Sequence, residues 1–74
     1  MNNSVVKILS TREQEVLELV SHEYTIKQIA SILYISHHTV ISHRKNILTK
    51  MNAKNTAGMI RRAFELNFLT PQNH

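Results

Sequence analysis

The stretch TIKQIASILYISHHTVISHRKNILTKM, residues 25–51, decides the fold of this chain. Its first four residues, Thr25 to Gln28, form a capping box that starts a helix ending near Leu33. After a short turn, Ser36 caps a longer helix over residues 37–51. Two helices joined by so short a turn predict a helix-turn-helix unit, and the rest of the chain supports it.

The flanking sequence predicts one further helix on each side. Ser10 opens a second capping box, so a first helix begins there and fades near residues 22–24. Asn55 is a good N-cap for a fourth helix, from Thr56 to about Asn67. Period-two alternation is missing, and the chain has one Gly and one Pro. We therefore expect an all-α fold of four helices.

The 74 residues allow a single domain with a modest core, and the absence of Cys leaves its stability to helix packing. We expect a folded domain over 10–69, preceded by an N-terminal arm, 1–9, and followed by a disordered tail, 70–74. The arm should dock through Val5, Ile8 or Leu9. No apolar run approaches the ~20 residues of a membrane span, and no signal-peptide pattern is present, so a cytoplasmic location is expected.

Charge is divided unevenly along the chain. Residues 1–23 carry a net charge of −2, whereas residues 24–64 contain seven Lys or Arg and no carboxylate, and the whole chain carries +4. An acid-free block of this length indicates a polyanion partner. A solvated basic surface without a ligand is an equally open reading of the charge alone.

The spacing of apolar residues predicts which faces of the third and fourth helices are buried. On a wheel of about 100° per residue, Val40, Ile47 and Met51 face the core of the third helix, and a polar face with Lys45 lies opposite. The fourth helix has two apolar stripes, more than one small core needs. One stripe consists of Ala57, Ile60 and Phe64. The neighbouring stripe is the candidate dimer interface, and shielding of this stripe by the N-terminal arm is the alternative: Met59, Ala63 and Leu66.

Three segments, in this order and spacing, carry a resemblance to a known family: L-S-x-R-E-x-E-V-L over 9–17, I-A-x-x-L-x-I-S over 29–36 and T-V-x-x-H-R-x-x-I-x-x-K-M over 39–51. The chain resembles a LuxR/GerE-type helix-turn-helix domain, the DNA-binding module of many bacterial regulators. The resemblance implies that the third helix enters the major groove and that the fourth pairs two subunits. Glu23 replaces a common Gly, so that turn is expected to be more strained or more open. Thr56 and Ala57 replace a frequent Arg-Thr pair.

Wheel position and resemblance together give the expected site. The base-reading candidates are Ile41, Ser42 and Lys45, with His38 reaching base or phosphate. The phosphate-binding candidates are Thr25, Lys27, Ser36, Thr39, Arg44 and Lys50. For Thr25 and Ser36 the alternative is capping alone, and for Arg44 it is a structural role with a packed stem.

The expected partners are double-stranded DNA, a second copy of the chain (in isolation or only on DNA) and RNA polymerase, but no membrane. No cofactor, metal or catalytic activity is expected, since His37, His38 and His43 do not share one helical face and the chain has no Asp or Cys. On this reading the protein works in the cytoplasm, on the bacterial nucleoid. The alternatives are a domain similar to region 4 of a sigma factor, and a helical protein-interaction module without DNA binding.

Overall fold

A computed structural model of the protein describes residues 8–71. Within that range it has four helices and no strand: α1 (Thr11–Ser21), α2 (Ile26–Leu33), α3 (His37–Met51) and α4 (Thr56–Glu65). The predicted all-α, four-helix class is confirmed. Most of the predicted arm, and the predicted tail beyond residue 71, lie outside the described residues. None of the four helices is long and apolar enough to cross a membrane.

The capping signals place the helix starts. Ser10 Oγ accepts from the Glu13 N–H at 3.1 Å, and Glu13 Oε1 accepts from the Ser10 N–H at 3.0 Å. Thr25 and Gln28 exchange the same two bonds, at 3.1 and 2.9 Å. Both capping boxes are therefore confirmed. The fourth helix ends at Glu65, two residues before the predicted end, because the backbone at Asn67 turns left-handed, with φ 66°.

Helix α3 lies at the centre of the domain, because it packs against each of the other three helices. Its side chains Val40, Ile47 and Met51 are fully buried, as the wheel predicts. Leu9 is also buried, whereas Ile8 is 86% exposed, so Leu9 docks the start of the domain. The remaining core residues are Val16, Leu17, Ile29, Ala30, Met59, Ala63 and Leu69.

Within residues 8–71, four residues that are not glycine adopt left-handed backbone angles: Glu23 (φ 68°), Tyr34 (φ 57°), Asn52 (φ 55°) and Asn67 (φ 66°). Asparagine tolerates this region, but for a larger side chain it costs about 1–2 kcal/mol. The strain expected at Glu23, where the family commonly has Gly, is confirmed. Tyr34 lies in the turn between α2 and α3, so a second strained position lies inside the helix-turn-helix.

Candidate nucleic-acid interface

The outer face of α3 carries the four predicted base-reading side chains. His38, Ile41, Ser42 and Lys45 are all exposed, and Ile41 keeps 45% of its surface open to solvent although it is apolar. They lie within about 100° of arc on the side opposite the buried face. No carboxylate in residues 8–71 pairs with Lys45. The structure therefore brings these four together on one open surface.

The helix starts carry the hydroxyl groups expected to meet phosphate. Thr25 and Ser36 are exposed N-caps of α2 and α3, and Ser36 Oγ accepts from the Thr39 N–H at 3.0 Å. The Ser36 and Thr39 hydroxyls are 2.8 Å apart, and Thr39 is half-buried. Lys27 is exposed in the first turn of α2. The hydroxyls thus cap their helices, and capping leaves neighbouring N–H groups of the first turns free to meet an anion.

Arg44 lies between α3 and α4. Its guanidinium donates to the Thr56 hydroxyl at the first residue of α4, and the side chain is half-buried. Arg62 makes a second hydrogen bond between the two helices: its Nε donates to the Met51 carbonyl at the end of α3, at 3.2 Å. Arg44 therefore positions α3 against α4, which favours the structural alternative for this residue. Thr56, a departure from the common family sequence, is the acceptor.

Lys50 lies on the flank of α3 that faces α1. Its Nζ is 2.6 Å from Glu13 Oε1 and 3.3 Å from the Ile8 carbonyl. The Lys50 and Glu13 side chains are 23% and 7% exposed, so the ion pair is largely shielded from water. This placement does not support the predicted phosphate contact, because the ammonium already neutralises a buried carboxylate.

Glu13 serves both the cap of α1 and the contact with α3. Burial raises the pKa of this carboxyl. The pKa is lowered by a larger amount by the hydrogen bond and positive charge of Lys50 and by the hydrogen bonds with Ser10. The net result is a pKa below the ordinary glutamate value, so the residue is ionised near neutral pH. One carboxylate therefore fixes the start of α1 to the last turn of α3.

The two apolar stripes of α4 are reversed relative to the prediction. Met59 and Ala63 are fully buried in the core, and Leu66 is half-buried against it. A side chain without exposed surface cannot contact a second copy, so this packing does not support Met59 and Ala63 as the predicted interface. The open stripe is the other one, with Phe64 38% exposed, Ala57 exposed and Ile60 half-buried. Sequence spacing finds both stripes, but only the packing of α4 on α3 selects between them.

The comparison with known proteins places the chain in a family. The model of the GerE family, bacterial regulatory proteins of the luxR family, matches residues 7–63. Oxygen regulatory protein NreC of Staphylococcus epidermidis is 40% identical over 63 residues, which are 85% of this chain and 29% of that protein. NreC of Staphylococcus haemolyticus is 37% identical over 67 residues, 90% of this chain and 31% of that protein. The chain spans less than a third of the length of these curated relatives.

A solved structure agrees with the fold. The chain superposes on VqmA of Vibrio cholera, in a crystal structure of a VqmA-ligand-DNA complex, with a TM-score of 0.77 and 26% identity. The match covers 92% of this chain and 29% of VqmA. The similar part is thus nearly the whole of this chain and a minor part of the other protein.

Proposed function

The chain belongs to the luxR family of bacterial regulatory proteins, which are DNA-binding transcription regulators, and from that membership we propose that it reads double-stranded DNA with α3 in the major groove. The observation that carries the proposal is the open outer face of α3, described above, on a helix whose opposite face is fully buried. A helix held in this way can enter the groove without unpacking the core. Membership in this family also favours this reading over the sigma-factor and protein-interaction alternatives.

Base readout is assigned to the four side chains of that face. Lys45 can donate to guanine O6 and N7, Ser42 can donate or accept, and Ile41 can pack on a thymine methyl group. His38 begins the same face one turn earlier and reaches either a base or a phosphate. Only one of the four carries a fixed charge, so discrimination rests on short-range fit.

Phosphate contacts are assigned to the first turns of α2 and α3. Thr25 and Lys27 would meet one strand at the start of α2, and Ser36 and Thr39 would meet the backbone beside the groove. Arg44 retains guanidinium N–H groups beyond the one given to Thr56, so a contact from its outer edge is compatible with its structural bond.

We propose that two copies pair through α4, on the open stripe of Ala57, Ile60 and Phe64. A two-fold pair would place two copies of α3 on half-sites about one helical turn apart. The base-reading face of a single copy is small, which supports the proposal that two copies bind together. We further propose that the DNA-bound pair acts on transcription in the cytoplasm and does so through RNA polymerase.

The direct test is a titration of a labelled duplex library at several salt concentrations. We expect affinity to fall with salt, because cations that meet phosphates release counterions. Lys45→Ala should relax preference at one base position at a cost of about 1–3 kcal/mol, whereas Lys27→Ala should weaken all sequences alike. Affinity indifferent to salt would refute the electrostatic part of the proposal, and an equal loss on every sequence for both variants would refute the division of roles.

A further inference from the structure

Tyr34 occupies the turn of the helix-turn-helix in a conformation that its side chain disfavours. Its backbone is left-handed, with φ 57° and ψ 43°, and its N–H donates to the Ala30 carbonyl to end α2. Any residue except proline could make that backbone bond, and glycine could make it without strain. The turn alone therefore gives no reason for a tyrosine.

The ring contributes almost nothing to the core. Tyr34 is 94% exposed, more than any other large hydrophobic residue of the described range, and its hydroxyl has no hydrogen-bond partner within residues 8–71. A strained position that holds a large, unburied side chain is the kind of outlier that points to a function outside folding. The ring is therefore open to a partner outside residues 8–71.

The position of Tyr34 favours DNA as that partner. It precedes Ser36, the N-cap of α3, by two residues, so the two Cα atoms are within about 7.6 Å of each other. His37 and His38 follow as exposed residues of the first turn, and residues 24–64 contain no carboxylate that would repel a phosphate. A tyrosine hydroxyl is among the groups that bind phosphate oxygens in protein–DNA complexes.

We propose that Tyr34 is a DNA contact, with its hydroxyl donating to a backbone phosphate at the edge of the groove that receives α3. This inference rests on the proposed function. The contact positions α3 and carries no sequence information, because a phosphate is the same at every base pair. It also brings no cation, so it releases no counterion.

Two variants of Tyr34 separate the hydroxyl from the ring and its strain. Tyr34→Phe removes only the hydroxyl, whereas Tyr34→Gly removes the ring and relieves the left-handed backbone. The control is Asn67→Gly, which places glycine at another left-handed position, at the end of α4, without altering charge. Each protein is titrated with a preferred and a scrambled duplex at several salt concentrations, and its thermal unfolding is measured in the same buffer.

We expect both Tyr34 variants to bind the two duplexes roughly five- to tenfold more weakly, the loss of about one hydrogen bond. The slope of log affinity against log salt should stay at the parent value, whereas Lys27→Ala should reduce it by about one. Tyr34→Gly should also melt about 4–8 °C higher than the parent as strain is released. Weaker binding from a more stable protein cannot be explained by damage to the fold.

Parent-like affinity of Tyr34→Phe would overturn the phosphate contact, including the case in which Tyr34→Gly alone binds weakly. Parent-like affinity of both variants would overturn any role in DNA binding and leave a protein partner as the reason for the ring. In either case salt-dependent binding by the parent would leave the proposed function standing. A parent that binds no duplex would refute the proposed function itself, and this inference with it.

Discussion

Replacing Lys50 by methionine removes the ammonium that neutralises the buried Glu13 and leaves the hydrocarbon stem in place. Removing one partner of a fully buried ion pair costs about 3–5 kcal/mol. Because the Lys50 side chain is 23% exposed, solvent screens part of this interaction, and we expect a loss of about 2–3 kcal/mol at pH 7. A domain of 74 residues has a total stability of roughly 4–11 kcal/mol, so the loss is easily measured.

The loss should depend on pH in a direction set by Glu13. In the parent the pKa of Glu13 is lower in the folded than in the unfolded chain, so the folded form binds fewer protons. Its stabilising effect is fully present above the ordinary value of 4.5 and is lost as pH falls through the folded pKa. Without Lys50, burial still raises the pKa of Glu13 while the hydrogen bond and the charge of Lys50 no longer lower it, so Glu13 takes up its proton at a higher pH than in the parent. The deficit of Lys50→Met should therefore shrink as pH falls from 7 toward 4.

Urea unfolding at pH 7 and at pH 4 measures both the loss and its pH dependence. Lys54→Met is the matched control, because Lys54 is exposed and pairs with no carboxylate in residues 8–71. Glu13→Gln and the double variant complete a double-mutant cycle. Additive losses in that cycle, or a deficit that stays constant with pH, would refute the role given to the ion pair.

Three further predictions concern the turns, the pairing face and the two sides of α3. Glu23→Gly should raise stability by about 1 kcal/mol in urea unfolding, because glycine accepts φ 68° without strain; a decrease would show that the Glu23 side chain stabilises the turn. Phe64→Glu should abolish the pairing of two copies, measured by sedimentation with and without DNA. The control Ile32→Glu, which alters a similarly exposed apolar residue of α2, should leave pairing intact. Unchanged assembly of the Phe64 variant would mean that the open stripe of α4 is not the interface. Ile47→Ala should cost about 2–5 kcal/mol of stability, whereas Ile41→Ala should cost under about 0.5 kcal/mol and weaken duplex preference; the reverse pattern would place the wrong face in the groove.

The parts of the fold that sequence predicts are those set by neighbouring residues. A capping box spans four residues, so Ser10 and Thr25 predict the starts of α1 and α2 whatever the rest of the chain contains. The buried face of α3 follows from its period in the same way. The sequence predicts the end of α4 two residues late, because an asparagine such as Asn67 tolerates a left-handed turn but does not require one.

The contacts that sequence reasoning missed join residues that are far apart in the chain. Glu13 and Lys50 are 37 residues apart, and the wheel places Lys50 at the flank of α3 without saying which helix lies there. The choice between the two stripes of α4 depends likewise on the direction from which α3 approaches. The sequence does contain a signal for the ion pair: a capping carboxylate, Glu13, beside an apolar stripe, and a lysine, Lys50, on the flank of the central helix. The pairing of the two could be predicted only with the crossing of α1 and α3 known.

These contacts change how the basic block should be interpreted. Of its seven cations, four are engaged within the domain: Lys50 with Glu13, Arg61 and Arg62 with Glu65, and Arg44 with Thr56. Three have no carboxylate partner within residues 8–71: Lys27, Lys45 and Lys54. At about 0.9 of a counterion per neutralised phosphate, the two cations assigned to phosphate, Lys27 and Arg44, give a salt slope of about −1.8 for one copy, against about −6.3 if all seven met phosphates. Lys50, Arg44 and Arg62 therefore help to hold α3 against its neighbours. Two copies on one duplex would double the number of phosphate contacts that a single copy makes.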